Sequence, residues 1–400
     1  MDVEGALTIG KRLRQIRKDR DKSQEVIAGL AGISAPTLSR IENGKQALDS
    51  LSQIVGLAEA LEIAPSELMR LPVPAPANGH TDSTTEAVRL ALDSIEIDKP
   101  GGLVVPVAVL RDRVAQIHQQ RRACQAAAVA DALPSLIRDL HTTLDTGRDH
   151  GELLELGVYL HVHVTRWWLI EAAAPTDLLR RAVYLARRLA QQRDEVATLA
   201  HAAFGMADVL LSGGAFPLGQ TVLDSITLPP TTADNAGFVA QVTALHAAAA
   251  RLTGRPGDVA APLDAAEELA DRFGATGETD SLGYVFGPND AGLVRITDAL
   301  QASEPDRAVS IAQQVQPERH PFLVNRCGYW TRYGHALARV RGRHDDAVVA
   351  LRTAEDLFPA KVLRDAIIRD VIAELLTRSR RDSPTDRQLR GMAYRAGLPV

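Results

Sequence analysis

The sequence predicts an all-α protein in two parts: an N-terminal bundle of five short helices, then a long α-solenoid of helix pairs. Three observations predict it. Apolar residues recur at three- and four-residue spacing almost throughout the chain. Between Ser23 and Lys45 two such segments meet at a Gly-Ile-Ser corner. From Ala174 to Pro359 the chain repeats a turn followed by small or aliphatic residues at fixed steps.

The first helix is expected from about Leu7 to Arg20, with Ile9, Leu13 and Ile16 inward. Ser23 then caps a second helix, its hydroxyl positioned for an orphan backbone N–H. Val26, Ile27, Leu30 and Ala31 form its expected apolar face, and Gly32 supplies the left-handed residue of a helix stop. Ile33 plugs the corner. Ser34 caps a third helix, Pro36 sits in its first turn, and Leu38 and Ile41 face inward before Gly44 ends it. Ser50 with Gln53 reads as a capping box for a fourth helix, striped by Leu51, Ile54, Val55, Ala58 and Leu61. Pro65 opens a fifth, with Leu68 and Leu71. The second and third form a helix-turn-helix, whose second helix fits the DNA major groove.

Net charge is −5 overall, which alone argues against a nucleic-acid binder. Its distribution reverses that argument. From Lys11 to Lys45 nine basic residues face four acids, so this window is +5 and the remainder −10. A basic window in an acidic chain is the footprint of a DNA-binding module joined to a part that does not bind DNA.

Arg17, Ser23-Gln24, Ala28, Gly32-Ile33-Ser34, Ile41-Glu42-Asn43-Gly44-Lys45 and Leu57-Ala58 fall together at the spacings of one family. Residues 5–71 resemble the Cro/C1-type (XRE-family) helix-turn-helix, with the five-helix lambda-repressor-like fold that implies. The resemblance implies that Arg17 and Glu42 form a structural ion pair tying the first helix to the third. It implies that Gln24, Asn43 and Lys45 hold the DNA backbone. Base reading falls to the start of the third helix, where Ser34, Ala35, Pro36, Thr37, Ser39 and Arg40 stand. Ala35 and Pro36 cannot donate hydrogen bonds, a departure from the family's glutamine-rich readers, so they offer apolar contact only. Arg40 suits bidentate contact with guanine; simple contact with phosphate is the alternative.

Residues 72–105 read as a linker and short docking segment. Pro72, Pro74 and Pro76 make an extended stretch, and Asn78-Gly79-His80 with a Ser/Thr run makes a flexible one. Val88, Leu92 and Ile95 suggest a short helix that Pro100-Gly101-Gly102 breaks, for docking or dimerisation. From residue 106 to 400 the pattern is helical. Leu110, Val114, Ile117 and Cys124 mark a long helix, and Leu133, Ile137 and Leu140 a partner after Pro134. Turns then centre on Ala174, Gly214, Gly254, Ser303 and Gly342, separated by 40, 40, 49 and 39 residues. Five, nine and twelve residues beyond each lie packing positions such as Leu179, Val183, Ala186 and Ala347, Leu351, Ala354. The array resembles the tetratricopeptide (TPR) repeat, which implies a right-handed solenoid with a concave inner surface.

In TPR proteins the first helix of each pair lines that surface. Carried across, its positions hold His161 and Trp168; His201, Phe204 and Asp208; Gln241 and Arg251; Asp290 and Thr297; and Tyr329, Arg332 and Arg339. Asn325 lies one turn before Tyr329. This mix of rings and polar groups suits a small molecule or a peptide. Trp167 falls at a packing position.

No catalytic motif is visible, no cofactor is expected, and His161 with His163, two apart on a helix, make a poor metal pair. Cys124 and Cys327 are lone thiols, read as small buried residues or as a redox switch. No apolar run approaches the ~18 residues of a membrane helix and no export signal is visible, which fits a cytoplasmic protein. Arg378, Arg380 and Arg381 follow a helix, as C-terminal charge or as a second DNA contact. The expected function is a sequence-specific DNA-binding transcriptional regulator. It would bind an inverted-repeat operator as a homodimer, under a signal taken by the solenoid. Fusions of this kind resemble regulators of quorum response, differentiation and secondary metabolism. The alternative is a TPR-type interaction adaptor whose signal is a partner protein and whose DNA binding is secondary.

Overall fold

A computed structural model describes residues 8–69, 79–274, 279–379 and 384–400. Among these residues every regular element is helical. Leu71, the three alternating prolines, Arg380 and Arg381 lie outside them.

The head consists of α1 (Ile9–Asp19), α2 (Gln24–Leu30), α3 (Ala35–Glu42), α4 (Leu51–Ala60) and α5 (Pro65–Met69). Ser23 Oγ accepts from Val26 N–H at 3.2 Å and Ser34 Oγ from Thr37 N–H at 3.2 Å, so each hydroxyl satisfies an orphan donor of the helix it opens. Gly32 takes the left-handed conformation of the corner, at φ 68°. Gly10 lets α1 lie directly on the end of α3, because a methyl group there would meet the Ile41 carbonyl. Two expectations fail. Ser50 makes no capping bond and its hydroxyl pairs instead with Ser52, at 2.9 Å. The buried face of α2 is Ile27 and Ala28, whereas Val26 and Leu30 are 48% and 67% exposed. With only seven residues, α2 is wedged between α3 and α4, and a stripe one residue wide is enough.

The body begins with α6 (Gly79–Glu96), α7 (Val107–Arg122) and α8 (Ala126–Leu144). The stretch read as a flexible end of the linker is therefore helical from Gly79, and α6 packs on α8 through Val88, Leu92 and Ile95. Pro134 lies inside α8 rather than before it, and Cys124 lies in the turn beyond α7, at φ 57°. Next come α9 (His150–Tyr159), a π-helical turn (Leu160–Thr165), α10 (Arg166–Glu171) and α11 (Thr176–Arg193). The following pairs are α12 (Val196–Ser212) with α13 (Phe216–Asp224), and α14 (Ala236–Leu252) with α15 (Ala260–Phe273). Then come α16 (Pro288–Gln301) with α17 (Pro305–Ala312), and α18 (Leu323–Arg339) with α19 (His344–Leu357). The C-terminal layer is α20 (Pro359–Arg364), α21 (Ala366–Arg378) and α22 (Pro384–Arg395).

Each pair packs internally and on the next, so the body is a stacked TPR-like solenoid. A left-handed residue stands at every repeat turn: Ala173, Gly214, Gly254, Ser303 and Gly342. The first falls one residue before its expected centre. Packing positions such as Val183, Leu223, Leu263, Ala308 and Leu351 are buried, as a repeated small-residue seam requires.

Candidate DNA-binding head and ligand groove

Arg17 and Glu42 form a bidentate pair, with Nε–Oε1 at 2.6 Å and Nη2–Oε2 at 2.8 Å, and Glu42 is fully enclosed. The carboxylate raises the Arg17 pKa, chiefly through this hydrogen bond. Gln24 joins them, its amide nitrogen donating to Glu42 Oε2 at 2.7 Å. One of its N–H groups is thus committed to the fold, which leaves less for a phosphate. The Asn43 side chain donates to the Ser39 carbonyl at 2.8 Å and accepts from Arg14 at 3.3 Å. Ser34, Pro36, Arg40, Asn43 and Lys45 are exposed, and Ala35, Thr37 and Ser39 half-buried, along one edge of α3. Arg40 is steadied by Thr37 Oγ1 and Gln46 Oε1, both at 3.2 Å, which holds its guanidinium over the exposed edge.

The opposite side of the head is fastened to the solenoid. Arg339 of α18 forms a bidentate pair with Asp49, at 2.6 and 2.7 Å, and also pairs with Glu374 of α21. His335, one turn earlier, lies 3.2 Å from the same aspartate. Asp370 Oδ1 accepts from Ile9 N–H at 2.8 Å, and Gln301 Oε1 from Leu51 N–H at 2.8 Å, so the first turns of α1 and α4 are held by the body. Arg378 reaches the Gly44 carbonyl at 3.4 Å. Ile9, Leu13, Leu38 and Leu57 share one continuous core with Leu337, Ile372 and Leu375. Arg339 was expected in the groove. It serves this seam instead, because its partner stands 290 positions upstream, a pairing no local pattern reveals.

The concave side holds two adjoining chambers, of about 190 and 300 Å³. Phe204, Gln241 and Arg332 border both, Asn325 the first, and Asp208, Arg251 and Thr297 the second. Within the wall, Arg251 pairs with Asp298 at 2.8 and 3.0 Å, Asp208 with the buried Arg166, and Arg332 Nε donates to Thr297 Oγ1 at 2.7 Å.

The remaining candidates are elsewhere. Trp168 is buried in the core, and Trp167, expected to pack, faces both chambers. The π-helical turn explains the exchange: it inserts one extra residue before α10 and so rotates everything after it by one position. Trp167 and Glu171, one turn apart, then face inward together. His161, inside that turn, is wholly buried against His141, ring nitrogens 3.0 Å apart. His201 packs among His163, Phe238 and Tyr284, and burial pulls its pKa down to about 3, with Arg166 adding, so it stays neutral. Asp290 borders neither chamber: it caps α16, holds His320 and Asn325 at 3.1 and 2.9 Å, and with His320 lines a separate cavity. Tyr329 is buried and donates to the Ala312 carbonyl at 2.9 Å. Residues that the sequence reading missed are Arg121 and Arg122 at the end of α7, Tyr284 and Phe322 in loops, and Lys361 of α20. The adjacent arginines were the one visible signal. The others lie outside the repeat pairs. No group of three or more metal-ligating side chains occurs among the described residues. Nor is any described helix long and apolar enough to cross a membrane.

The architecture defines a class: a small helix-turn-helix head carried on a helical-repeat body. Comparison with known proteins bears on the head. Residues 8–71 match the helix-turn-helix domain family, and this segment is homologous to HTH-type transcriptional regulators. The HTH-type transcriptional repressor RghR of Bacillus subtilis (strain 168) is 40% identical over 62 residues, 16% of this chain and 46% of that protein. The uncharacterized HTH-type transcriptional regulator RghRB of the same organism is 32% identical over 87 residues, 22% of this chain and 58% of that one. The chain thus spans about half the length of the curated relatives it matches. The crystal structure of Bacillus thuringiensis PlcR in complex with the peptide PapR7 and DNA aligns over 91% of this chain and 99% of that one. Its TM-score is 0.28 and its identity 12%, values at which neither fold nor ligand carries across.

Proposed function

We propose that this chain is a sequence-specific transcriptional regulator that binds an inverted-repeat operator as a homodimer, with a small-molecule or peptide effector in the groove. One observation carries the reading. The reading edge of α3 is open to a DNA duplex while the far side of the head is clamped to the body that holds the chambers. Arg40 reads a base, Asn43 and Lys45 meet the phosphates, and the Arg17–Glu42–Gln24 cluster sets the angle of α3 on α1. One head offers too small an interface for high specificity, hence the dimer. An effector acts by favouring one arrangement of the two heads, which requires that it bind that arrangement more tightly.

Selection from random duplex DNA with the full chain tests this. An enriched inverted repeat is expected, with one half-site position losing its preference in Arg40→Ala. No enrichment would sink the proposal in favour of an interaction adaptor, and unchanged preference in the variant would remove Arg40 as the reader.

A further inference from the structure

The first chamber is short of negative charge. Its wall carries four cations, Arg121, Arg122, Arg332 and Lys361, against the single carboxylate of Glu171. Arg121 donates to Glu171 Oε1 at 2.8 Å, and its Nε has no partner. Arg122 donates to the Gly283 carbonyl at 2.5 Å and lies 4.1 Å over the Phe322 ring; no described carboxylate pairs with it directly, and Asp280 acts on it only at longer range. Arg332 is held by Thr297 and by the Gly328 carbonyl, both neutral. Lys361 has no hydrogen bond or ion pair among the described residues. The nearest other acids are engaged: Asp280 accepts from the backbone N–H groups of Phe238, Leu282 and Tyr284, and Asp365 caps α21. Arg121 is buried and paired, whereas Arg122, Arg332 and Lys361 are half-buried with no ion pair among the described residues, and cations drawn even partly out of water gain from a counter-charge. Burial draws the Arg122 pKa down to about 10, Tyr159 resisting and Arg121 adding, a value at which it is still charged.

Unmet hydrogen-bonding capacity lines the same space. Both ring nitrogens of His118, Glu171 Oε2 and the Tyr284 hydroxyl are buried without a partner, and all three residues border the chamber. Their exposures are 3%, 4% and 7%, so bulk water does not satisfy them.

The second chamber is different. Its wall is mainly aliphatic, with Leu211, Leu245, Leu252, Leu263 and Val294, and it shares Trp167 and Phe204 with the first. Leu51, the first residue of α4 in the head, borders it too.

We propose that the paired chambers bind one amphipathic anion. Its carboxylate or phosphate sits among Arg121, Arg122, Arg332 and Lys361, and its apolar body extends past Trp167 to Leu51. The chemistry of each chamber sets the corresponding half. Planar guanidinium groups hold carboxylate or phosphate oxygens in pairs, and in the second chamber the charged groups Asp208, Arg251 and Asp298 are already paired within the wall, which leaves its aliphatic side chains to meet an apolar tail. Trp167 already has guanidinium groups near its ring, Arg166 at 4.6 Å and Arg121 at 5.7 Å, which fixes the ring between the two chambers. This inference rests on the reading of the groove as an effector site and names the class of effector.

Isothermal titration of the full chain tests it with four probes: decanoate, decyl phosphate, decanamide and inorganic phosphate. Saturable binding of decanoate or decyl phosphate is expected, with at least tenfold weaker binding of decanamide and of inorganic phosphate. Which of the two anions binds more tightly distinguishes a carboxylate from a phosphate site. Lys361→Gln, at a side chain with no partner to lose, should weaken the anion at least fivefold while leaving the thermal midpoint unchanged. Arg122→Gln should weaken it further. Decanamide binding as tightly as decanoate, no binding of either anion, or undiminished binding in both variants would overturn the proposal. Binding is read without DNA. A chain that takes the anion yet selects no operator fails as a regulator and keeps this site; one that selects an operator and ignores both anions does the reverse.

Discussion

The protein has two main cores of different construction. The first is formed by α6 to α14, with Tyr284 from the loop before α16. The second is formed by α16 to α22 together with the apolar faces of the head. The first half of the body meets the head only at its margin, where the Gly214 turn lies against Val55 and Pro65, whereas the second half shares its apolar core with the DNA-binding head. The chambers lie where the two meet, with α7, α10, α12 and α14 on one side and α16, α18 and α20 on the other. A ligand there touches both cores, and only one of them continues into the head. Arg332 and Arg339 stand two turns apart on α18, one at the chambers and one at the seam, a rise of about 10 Å.

The harshest way to break this division is Arg339→Ala. It strips the guanidinium from two acids in the seam, Asp49 and Glu374, whose side chains are 10% and 11% exposed. Stranding a buried partner costs about 3–5 kcal/mol. Hydrogen exchange should quicken in α1, α4 and α21 and stay unchanged in α8 and α11. Equal quickening everywhere would mean that the two cores unfold as one.

A matched pair sharpens the same point. Leu136→Ala, in the first core, and Leu337→Ala, in the second, each remove a side chain only 1% exposed, at a cost of about 2–5 kcal/mol. Both should lower the thermal midpoint. Only the second should loosen the head, seen as faster exchange in α1 and weaker DNA binding.

Arg40→Ala acts on the head alone. Among the described residues its side chain hydrogen-bonds only to Thr37 and Gln46, so stability should stay within about 0.5 kcal/mol. Discrimination at one base position should fall by about 1–3 kcal/mol, measured by competition between operator variants. A large stability loss would show that the reading edge is also part of the second core.

These contrasts indicate what a sequence can carry. The head was legible because its signals are local: Ser23 and Ser34 cap helices within three residues, and Gly32 marks the corner. The repeat was legible because its left-handed turns recur. The groove was only half legible. Phe204, Gln241 and Arg332 were found by counting along each helix, but the count fails across the π-helical turn, which exchanged Trp168 for Trp167. Counting also cannot detect a partner from another layer, so Arg339 was placed in the groove and Lys361 was missed. The identity of Asp49 as a docking residue depends wholly on α18, nearly three hundred residues later.

The gentlest test uses pH. Asp370 is wholly enclosed beside Glu374 in the seam, and burial, with Glu374 adding, raises its pKa to about 7 against the opposing pull of Arg339 and the Ile9 N–H. Between about pH 4 and pH 7 the folded state therefore keeps a proton that the unfolded chain releases. The stability this provides is complete below about pH 4 and is lost as pH rises through 7, at no more than about 1.4 kcal/mol per unit. Asp49, a few residues from the start of α4, behaves oppositely. Burial resists its ionisation, but His335 and Arg339 outweigh that and hold its pKa well below the ordinary carboxylate value, so its contribution disappears only in acid. The buried neutral histidines, His118, His161, His163 and His201 among them, raise stability with pH over the same range, so the quantity to read is a difference: the urea midpoint of the wild type relative to that of Asp370→Asn should fall steadily over pH 5, 6 and 7. Asp370→Asn keeps an oxygen for the Ile9 N–H and cannot ionise, so it removes this one contribution and leaves those of the histidines in place. Parallel pH profiles of the two proteins would show that Asp370 does not titrate in this range, and the hold of the seam on the head would then be independent of pH down to the acid range in which Asp49 takes up its proton.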